Sequence, residues 1–369
     1  LTRLQGVLLY PDAPEKRDLK VVFTPLHGTT VHLLPRAFEG CGFSAPLVVQ
    51  EQATPDGDFP TVASPNPEEP EALSQAVAMA QATGADLVVG TDPDGDRIGA
   101  AVRVGNDMVL LNGNQTASLL VDYLIRGRAE QGTLPANAFV VSTVVTSELP
   151  GAIAAHYGVG YHESLTGFKW IAERIRRHEA HGVFLGGGEE SYGFMVGDFL
   201  RDKDGIGSAV LLAEAAAMAK PSGGLYAALL RLYEQYGYYH EQLHSLTLQG
   251  IAGAERIAEM MRGYRSHPPR TLMGEAVVRV RDFQSLENLD VATGERTAFQ
   301  FERSNVLQFF TASGSRITVR PSGTEPKIKF YFSLRAPVEG QLTPAGLAGL
   351  EAAGRAQVAQ AIVDLEAAP

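Results

Sequence analysis

The stretch GTDPDGDRIG, residues 90–99, sets Asp92, Asp94 and Asp96 at alternate positions. Asp and Gly both favour turns, so a plain solvated turn is one reading. The flanking sequence argues for another. ADLVVG precedes the acids and IGAAVRV follows them, both apolar and strand-like, which sets the cluster on a tight loop between two buried segments. Alternate side chains of an extended chain share one side, and three carboxylates held that way need a cation. An EF-hand loop would put Gly sixth and Glu twelfth from Asp92, where Arg97 and Arg103 stand instead. Hard oxygen donors without nearby Cys or His suit Mg²⁺, with room left for water or a phosphate oxygen. Such an ion beside Arg97 fits phosphoryl transfer.

Other loops carry complementary chemistry. VRPSGTEPK, residues 319–327, combines a guanidinium at Arg320, hydroxyls at Ser322 and Thr324, and Gly323, where backbone N–H groups can curl around an anion. Its alternative is a polar hairpin turn. GGGEESYGF, residues 186–194, reads as a Gly-rich loop whose Glu189 and Ser191 suit vicinal sugar hydroxyls, and it lacks the spacing of a dinucleotide fingerprint. ESLTGFKW, residues 163–170, offers Thr166, Gly167 and Lys169 at a strand-to-helix turn, with a capping Thr as the plain reading. RDKDG, residues 201–205, defaults to a solvated charge run around Lys203, and His27 to a structural histidine.

These loops need a scaffold, and the chain alternates strand and helix patterns to about residue 238. KVVFTPL and PLVVQEQ read as strands, EALSQAVAMAQATG as a helix before the strand ADLVVG. QTASLLVDYLIRGRA, ELPGAIAAHYG and two helices near 205–220 and 224–237 continue the pattern. After residue 244 the pattern changes to alternating or aromatic strands, TLMGEAVVRVRDF, SNVLQFFTA, SRITVRPSG and PKIKFYFSL, and a final Ala-rich helix. The predicted fold is a multidomain α/β chain. A linker (1–19) leads into two mixed α/β/α domains (20–115 and 116–238). A smaller α+β C-terminal domain (245–369), an antiparallel sheet with helices, follows.

Composition bounds the function. The 369 residues suffice for two to four domains, and a net charge of −11 argues against nucleic acid as the main partner. A single cysteine, Cys41, cannot form an internal disulfide and points to a reducing compartment. The longest apolar run, AVLLAEAAAMA, is too short for a bilayer, and the N-terminus lacks a signal core, so a cytoplasmic protein without membrane partners is expected. The chain begins with Leu rather than Met, as expected of a piece of a longer gene product.

TDPDGDR, TGFKW, GEESYG and RPSGTEPK, in that order, together resemble the α-D-phosphohexomutase superfamily, the phosphoglucomutases and phosphomannomutases. GFKWIAERI and RDKDGIGSAVLLAE are similar to its bacterial phosphoglucomutase branch, which overlaps with phosphopentomutases. The resemblance implies four domains around a central cleft and a cytoplasmic isomerase of carbohydrate metabolism. It moves phosphate between the 1- and 6-hydroxyls of a hexose through a hexose 1,6-bisphosphate and an enzyme phosphoserine. It further implies that Asp92, Asp94 and Asp96 bind Mg²⁺, and that Glu189 and Ser191, with Thr166 and Gly167, bind the sugar. Arg320, Ser322, Gly323 and Thr324 would hold the non-reacting phosphate, while Arg97, Lys169 and Lys203 line the cleft, either lysine assisting proton transfer.

One departure stands out. The family's T-x-S-H-N-P serine loop has no match, since VASPNPEEP carries Pro65 where the His belongs, so Ser64 is not assigned as nucleophile. The chain is expected to represent the second to fourth domains and to be inactive alone. Two alternatives are an Asp92-nucleophile phosphatase and a non-catalytic phosphosugar-binding protein. Glucose, mannose, glucosamine and pentose phosphates all remain open as substrates, and the oligomeric state is not readable.

Overall fold

A computed structural model describes residues 2–323 and 325–366. The chain divides into two compact units, Leu1–Arg231 and Leu232–Pro369.

The first unit opens with short helices α1 (Thr2–Gln5) and α2 (Glu15–Asp18). Val7, Leu8 and Leu19 around them are buried. The backbone N–H groups of Leu9 and Tyr10 each donate to the buried Glu214 carboxylate at 2.8 Å. There follow β1 (Val21–Thr24), α3 (Leu33–Gly40), β2 (Leu47–Val48), α4 (Ser74–Thr83), β3 (Leu87–Thr91), β4 (Ile98–Val104) and β5 (Asp107–Leu111). They make a mixed sheet in the order β2-β1-β3-β4-β5, parallel through β1 and its neighbours and antiparallel from β3 to β5. The β1 and β3 residues are buried throughout, as expected for strands covered on both faces. PLVVQEQ, expected as a full strand, pairs only at Leu47–Val48. The buried Gln52 turns inward to accept from Thr24 Oγ1 at 2.6 Å, and the chain coils at 50–52.

A second sheet in the same unit is built from α5 (Gly113–Glu130), β6 (Ala138–Thr143), α6 (Leu149–His156), β7 (Gly160–Ser164), α7 (Phe168–His178), β8 (Val183–Gly188) and β9 (Phe194–Val196). Its order is β7-β6-β8-β9, with only β9 antiparallel. Asn112 and Gln115 close a reciprocal capping box at the start of α5. Helix α7 buries Phe168, Ile171 and Ile175, spaced three and four apart, against Phe139 and Val141. The glycines expected as a loop, Gly186–Gly188, instead form the end of strand β8. A Cβ on Gly187 would lie 2.2 Å from the Val141 carbonyl oxygen, so only glycine lets β8 approach β6 there. Helix α8 (Gly205–Ala219) is apolar around its circumference and packs on β3, β4 and β9, thereby joining the two sheets. Helix α9 (Gly224–Tyr236) follows.

The second unit comprises β10 (Tyr238–Thr247), α10 (Gly250–Ser266), β11 (Thr271–Leu272), β12 (Glu275–Asp282), β13 (Glu287–Asp290), β14 (Arg296–Ala298), β15 (Leu307–Thr311), β16 (Arg316–Pro321), β17 (Lys327–Ala336) and α11 (Pro344–Glu366). The antiparallel sheet runs β10-β17-β16-β15-β12-β13-β14, with β11 paired to β12. One face supplies Phe309, Ile317, Val319, Phe330 and Phe332 to a core closed by Ile257 and Met260 of α10 and Val358 and Leu365 of α11. Strand β10 and helix α10 are absent from the sequence reading. Among the described residues no helix is long and apolar enough to cross a membrane.

Candidate functional site

The acidic triplet lies on the β3–β4 hairpin, where Thr91 pairs with Ile98. The loop is the tight turn expected between two buried strands. Asp92 Oδ1 accepts the backbone N–H groups of Asp96 and Arg97 at 3.0 and 2.9 Å, and Gly95 N donates to Asp92 O at 3.0 Å. Gly95 has φ +79°, and a Cβ there would meet Thr30 Cγ2 at 2.4 Å. By this turn one carboxylate oxygen from each of Asp92, Asp94 and Asp96 comes within 4.8 Å of the others. Octahedral Mg²⁺ at about 2.1 Å would set neighbouring ligands about 3 Å apart, so a small contraction closes the cluster on an ion.

Charges around the loop are asymmetric. Asp92 is 1 % exposed and its Oδ2 accepts from Arg97 Nε at 2.6 Å. Burial opposes its ionisation, but the backbone and side-chain hydrogen bonds from Arg97 outweigh that and hold the carboxyl below its ordinary pKa. Burial, with repulsion from Asp92 and Asp94, leaves Asp96 raised despite a contact with Lys203. Arg97 is steadied further by Glu68 Oε1 at 3.0 Å and Asn66 Oδ1 at 3.4 Å. Lys203 forms an ion pair with Asp96 Oδ2, while the buried Asp96 Oδ1 accepts no hydrogen bond from the described residues and has Arg97 Nε no nearer than 3.8 Å. A buried carboxylate oxygen without a donor is costly, and a cation satisfies it. The donor set therefore fits Mg²⁺.

The Glu189–Gly193 turn lies beside this loop. Arg97 and Gly193 form an antiparallel bridge, and Ile98 N donates to Tyr192 O at 3.1 Å. Burial, then the charges of Glu68 and Glu69, push the Tyr192 hydroxyl up to about 12. The buried Glu189 accepts the Gly167 N–H at 2.5 Å, which draws the 164–168 turn into the same neighbourhood. Ser191 is half-buried, and Glu190 Oε2 meets the Thr143 and Thr146 hydroxyls at 3.4 and 3.3 Å. Thr166 is not the helix cap of the plain reading. Gly167, at φ +111°, holds that position without a side-chain bond, and Thr166 Oγ1 is buried without a partner. Lys169 is exposed on the first turn of α7, its Nζ 5.4 Å from the Trp170 ring centre. His27 is structural, its Nδ1 and Nε2 bonded to Thr54 O and Thr61 Oγ1 at 3.0 and 2.8 Å.

In the second unit Arg320 is the last residue but one of β16, and Ser322 and Gly323 begin the turn into β17. Thr324 lies outside the described residues. Ser322 N donates to Lys327 O at 2.7 Å, and Glu325 N donates to Ser322 Oγ at 3.3 Å. Arg320 is the register partner of Lys329, and no described residue accepts a hydrogen bond from its guanidinium. Like charges directly opposite on a sheet repel unless an anion lies between them.

Three models of one family match the chain. These are phosphoglucomutase/phosphomannomutase α/β/α domain II at residues 4–105, α/β/α domain III at 112–236 and the C-terminal domain at 275–353. The chain belongs to the phosphoglucomutase/phosphomannomutase family, within the α-D-phosphohexomutase superfamily. A phosphoglucomutase of Staphylococcus aureus (strain MRSA252) is 38 % identical over 324 residues, covering 87 % of this chain and 58 % of that protein. The chain thus spans little more than half the length of such relatives.

Solved family structures share the fold at low identity. Paramecium pp63/parafusin, a phosphoglucomutase in its open form, aligns with TM-score 0.64 at 18 % identity, over 98 % of this chain and 62 % of its own. A phosphoglucomutase/phosphomannomutase family protein of Burkholderia thailandensis aligns with TM-score 0.62 at 19 % identity, over 98 % and 64 %. Within this family chain, sequence reasoning missed Asn66 and Glu68, which steady Arg97 from a segment read only as a linker. It also missed Lys329, which the alternation of KIKFYF could have placed on the face of Arg320.

Proposed function

We propose that the chain carries the metal-, sugar- and phosphate-holding parts of a phosphohexomutase. This isomerase moves a phosphoryl group between the 1- and 6-hydroxyls of a hexose by way of a hexose 1,6-bisphosphate. The observation that carries the reading is the convergence of Asp92, Asp94 and Asp96, with Asp96 Oδ1 unsatisfied, beside the Glu189–Gly193 turn.

Asp92, Asp94 and Asp96 would hold Mg²⁺, which when bound neutralises charge on phosphoryl oxygens. Arg97 keeps the loop folded, fixed by Asp92 and Glu68. Glu189 and Ser191 recognise sugar hydroxyls, with Thr166 and Gly167 lining the same turn. Lys203, already beside Asp96, holds a proton at Nζ that can pass to a sugar oxygen, and Lys169 is the second candidate. Arg320, Ser322, Gly323 and Thr324 anchor the non-reacting phosphate, where Arg320 can grip two oxygens. We place the phosphoserine outside these 369 residues, because the T-x-S-H-N-P pattern does not occur in them.

The phosphatase alternative fits less well. Asp92 is almost fully buried, with Oδ1 taken by two backbone N–H groups and Oδ2 by Arg97 Nε, so its charge is spent on Arg97 and the one lone pair left on Oδ2 suits a metal ion better than attack on a phosphate. The deciding experiment follows glucose 6-phosphate formation from glucose 1-phosphate with glucose 1,6-bisphosphate and Mg²⁺. We expect no turnover by the chain alone and turnover once a serine domain is joined to it, reduced at least about a hundredfold by Asp96→Asn. Turnover by the chain alone would refute the external serine. Full activity of the Asp96→Asn variant would refute the metal assignment.

A further inference from the structure

A pocket of about 390 Å³ lies in the first unit away from the acidic loop. Its apolar wall includes Val7, Phe184, Leu185 and Val196, and the exposed Arg3 and half-buried Arg128 also line it. Arg128 leaves the last turn of α5, and its Nε is buried with no acceptor. Among the described residues no carboxylate pairs with Arg128 or with Arg3. Asp198, exposed on the same rim, forms no ion pair with either. Burial alone lowers the Arg128 pKa, in keeping with a cation that has no counter-charge. A half-buried guanidinium with no carboxylate among the described residues to pair with is an uncompensated desolvation. Most other arginines of the unit meet a carboxylate or a carbonyl, among them Arg97, Arg103, Arg126 and Arg201.

We propose that this pocket binds a small organic anion, a phosphomonoester or carboxylate with an apolar body, between Arg128 and Arg3. The forked guanidinium suits a two-oxygen head group, and the Val7, Leu185 and Val196 side chains suit a ring or short hydrocarbon. The site is separate from the mutase machinery. Val183 and Leu185 belong to the first half of β8, and Glu189 follows its end, about 20 Å from Val183 and about 13 Å from Leu185 along the strand. Its rim also includes Gly197, Asp198 and Phe199, the start of the connection that leads to Lys203.

The probe is phenyl phosphate, titrated without Mg²⁺ into the Arg320→Met form of the chain, which removes the hairpin's own anion site. Calorimetry should give one saturable site, and the methyl resonances of Val7, Leu185 and Val196 should shift along the same curve. Arg128→Gln should weaken binding at least tenfold, Arg3→Gln a fewfold, and Arg128→Lys should fall between wild type and Arg128→Gln. Circular dichroism melts verify that each variant is folded. No saturable binding, or binding that Arg128→Gln and Arg128→Lys leave unchanged, overturns the proposal. Neither result bears on mutase activity, which is assayed through Asp96.

Discussion

In the Asp92–Arg97 loop the charges are answered where they stand, whereas on the β16–β17 hairpin they are not. Arg97 holds Asp92, Lys203 holds Asp96, and only Asp94 projects to solvent. Arg320, by contrast, is the register partner of another cation, Lys329, and no described residue takes up its guanidinium. The first arrangement is preorganised, its turn tied by the side chain of one buried aspartate. The second stores mutual repulsion that an incoming anion would relieve. Under the proposed function the contrast has a reason: positioning an ion gains from internal bonding, while seizing and releasing a phosphate gains from having little to break.

The largest effect that would sharpen this contrast is on stability. Asp92→Asn removes the charge facing Arg97 and should cost about 2–4 kcal/mol in urea unfolding. Arg320→Met should cost almost nothing in the same assay, and equal losses would break the comparison. Next comes the response to metal. Mg²⁺ at a hundred times its Kd should stabilise the chain by about 2.7 kcal/mol, and Asp96→Asn should abolish that gain. In the complete enzyme, Arg320→Met should raise KM for the sugar phosphate by about ten- to a hundredfold, as loss of a charge-assisted phosphate contact predicts. The smallest effect is also the most specific. Lys329→Met should stabilise the phosphate-free chain by about 0.2–0.5 kcal/mol, a gain that vanishes when phosphate is added.

Local chemistry was legible in the sequence and long-range packing was not. The acidic triplet, the Arg320 hairpin and most α/β elements announce themselves through spacing, alternation and turn residues. Strand β10, YYHEQLHSLT, has polar residues on both of its alternating faces and becomes a strand through ten register pairs with β17, a partner some 80 residues away. Helix α10 does carry Ile257, Met260, Met261 and Tyr264 at helical spacing, but its three glycines mask the pattern. Gly186–Gly188 read as loop because composition cannot reveal that a neighbouring strand sits against them. In the same way Thr166 looked like a cap, and nothing local to Gly167 foretells its bond to Glu189, 22 residues on.

Gly187 shapes how this protein can vary. Every substitution there adds a Cβ, and even the smallest would press on the Val141 carbonyl at 2.2 Å. Relief requires β8 to shift, and the residue two places on is Glu189, tied to Gly167. The position is a ratchet on sequence drift. Changes elsewhere in the sheet can be absorbed by repacking, but a single missense change at this codon would carry the Glu189–Gly193 turn with it. A mutational scan should show it as an intolerant point among permissive neighbours.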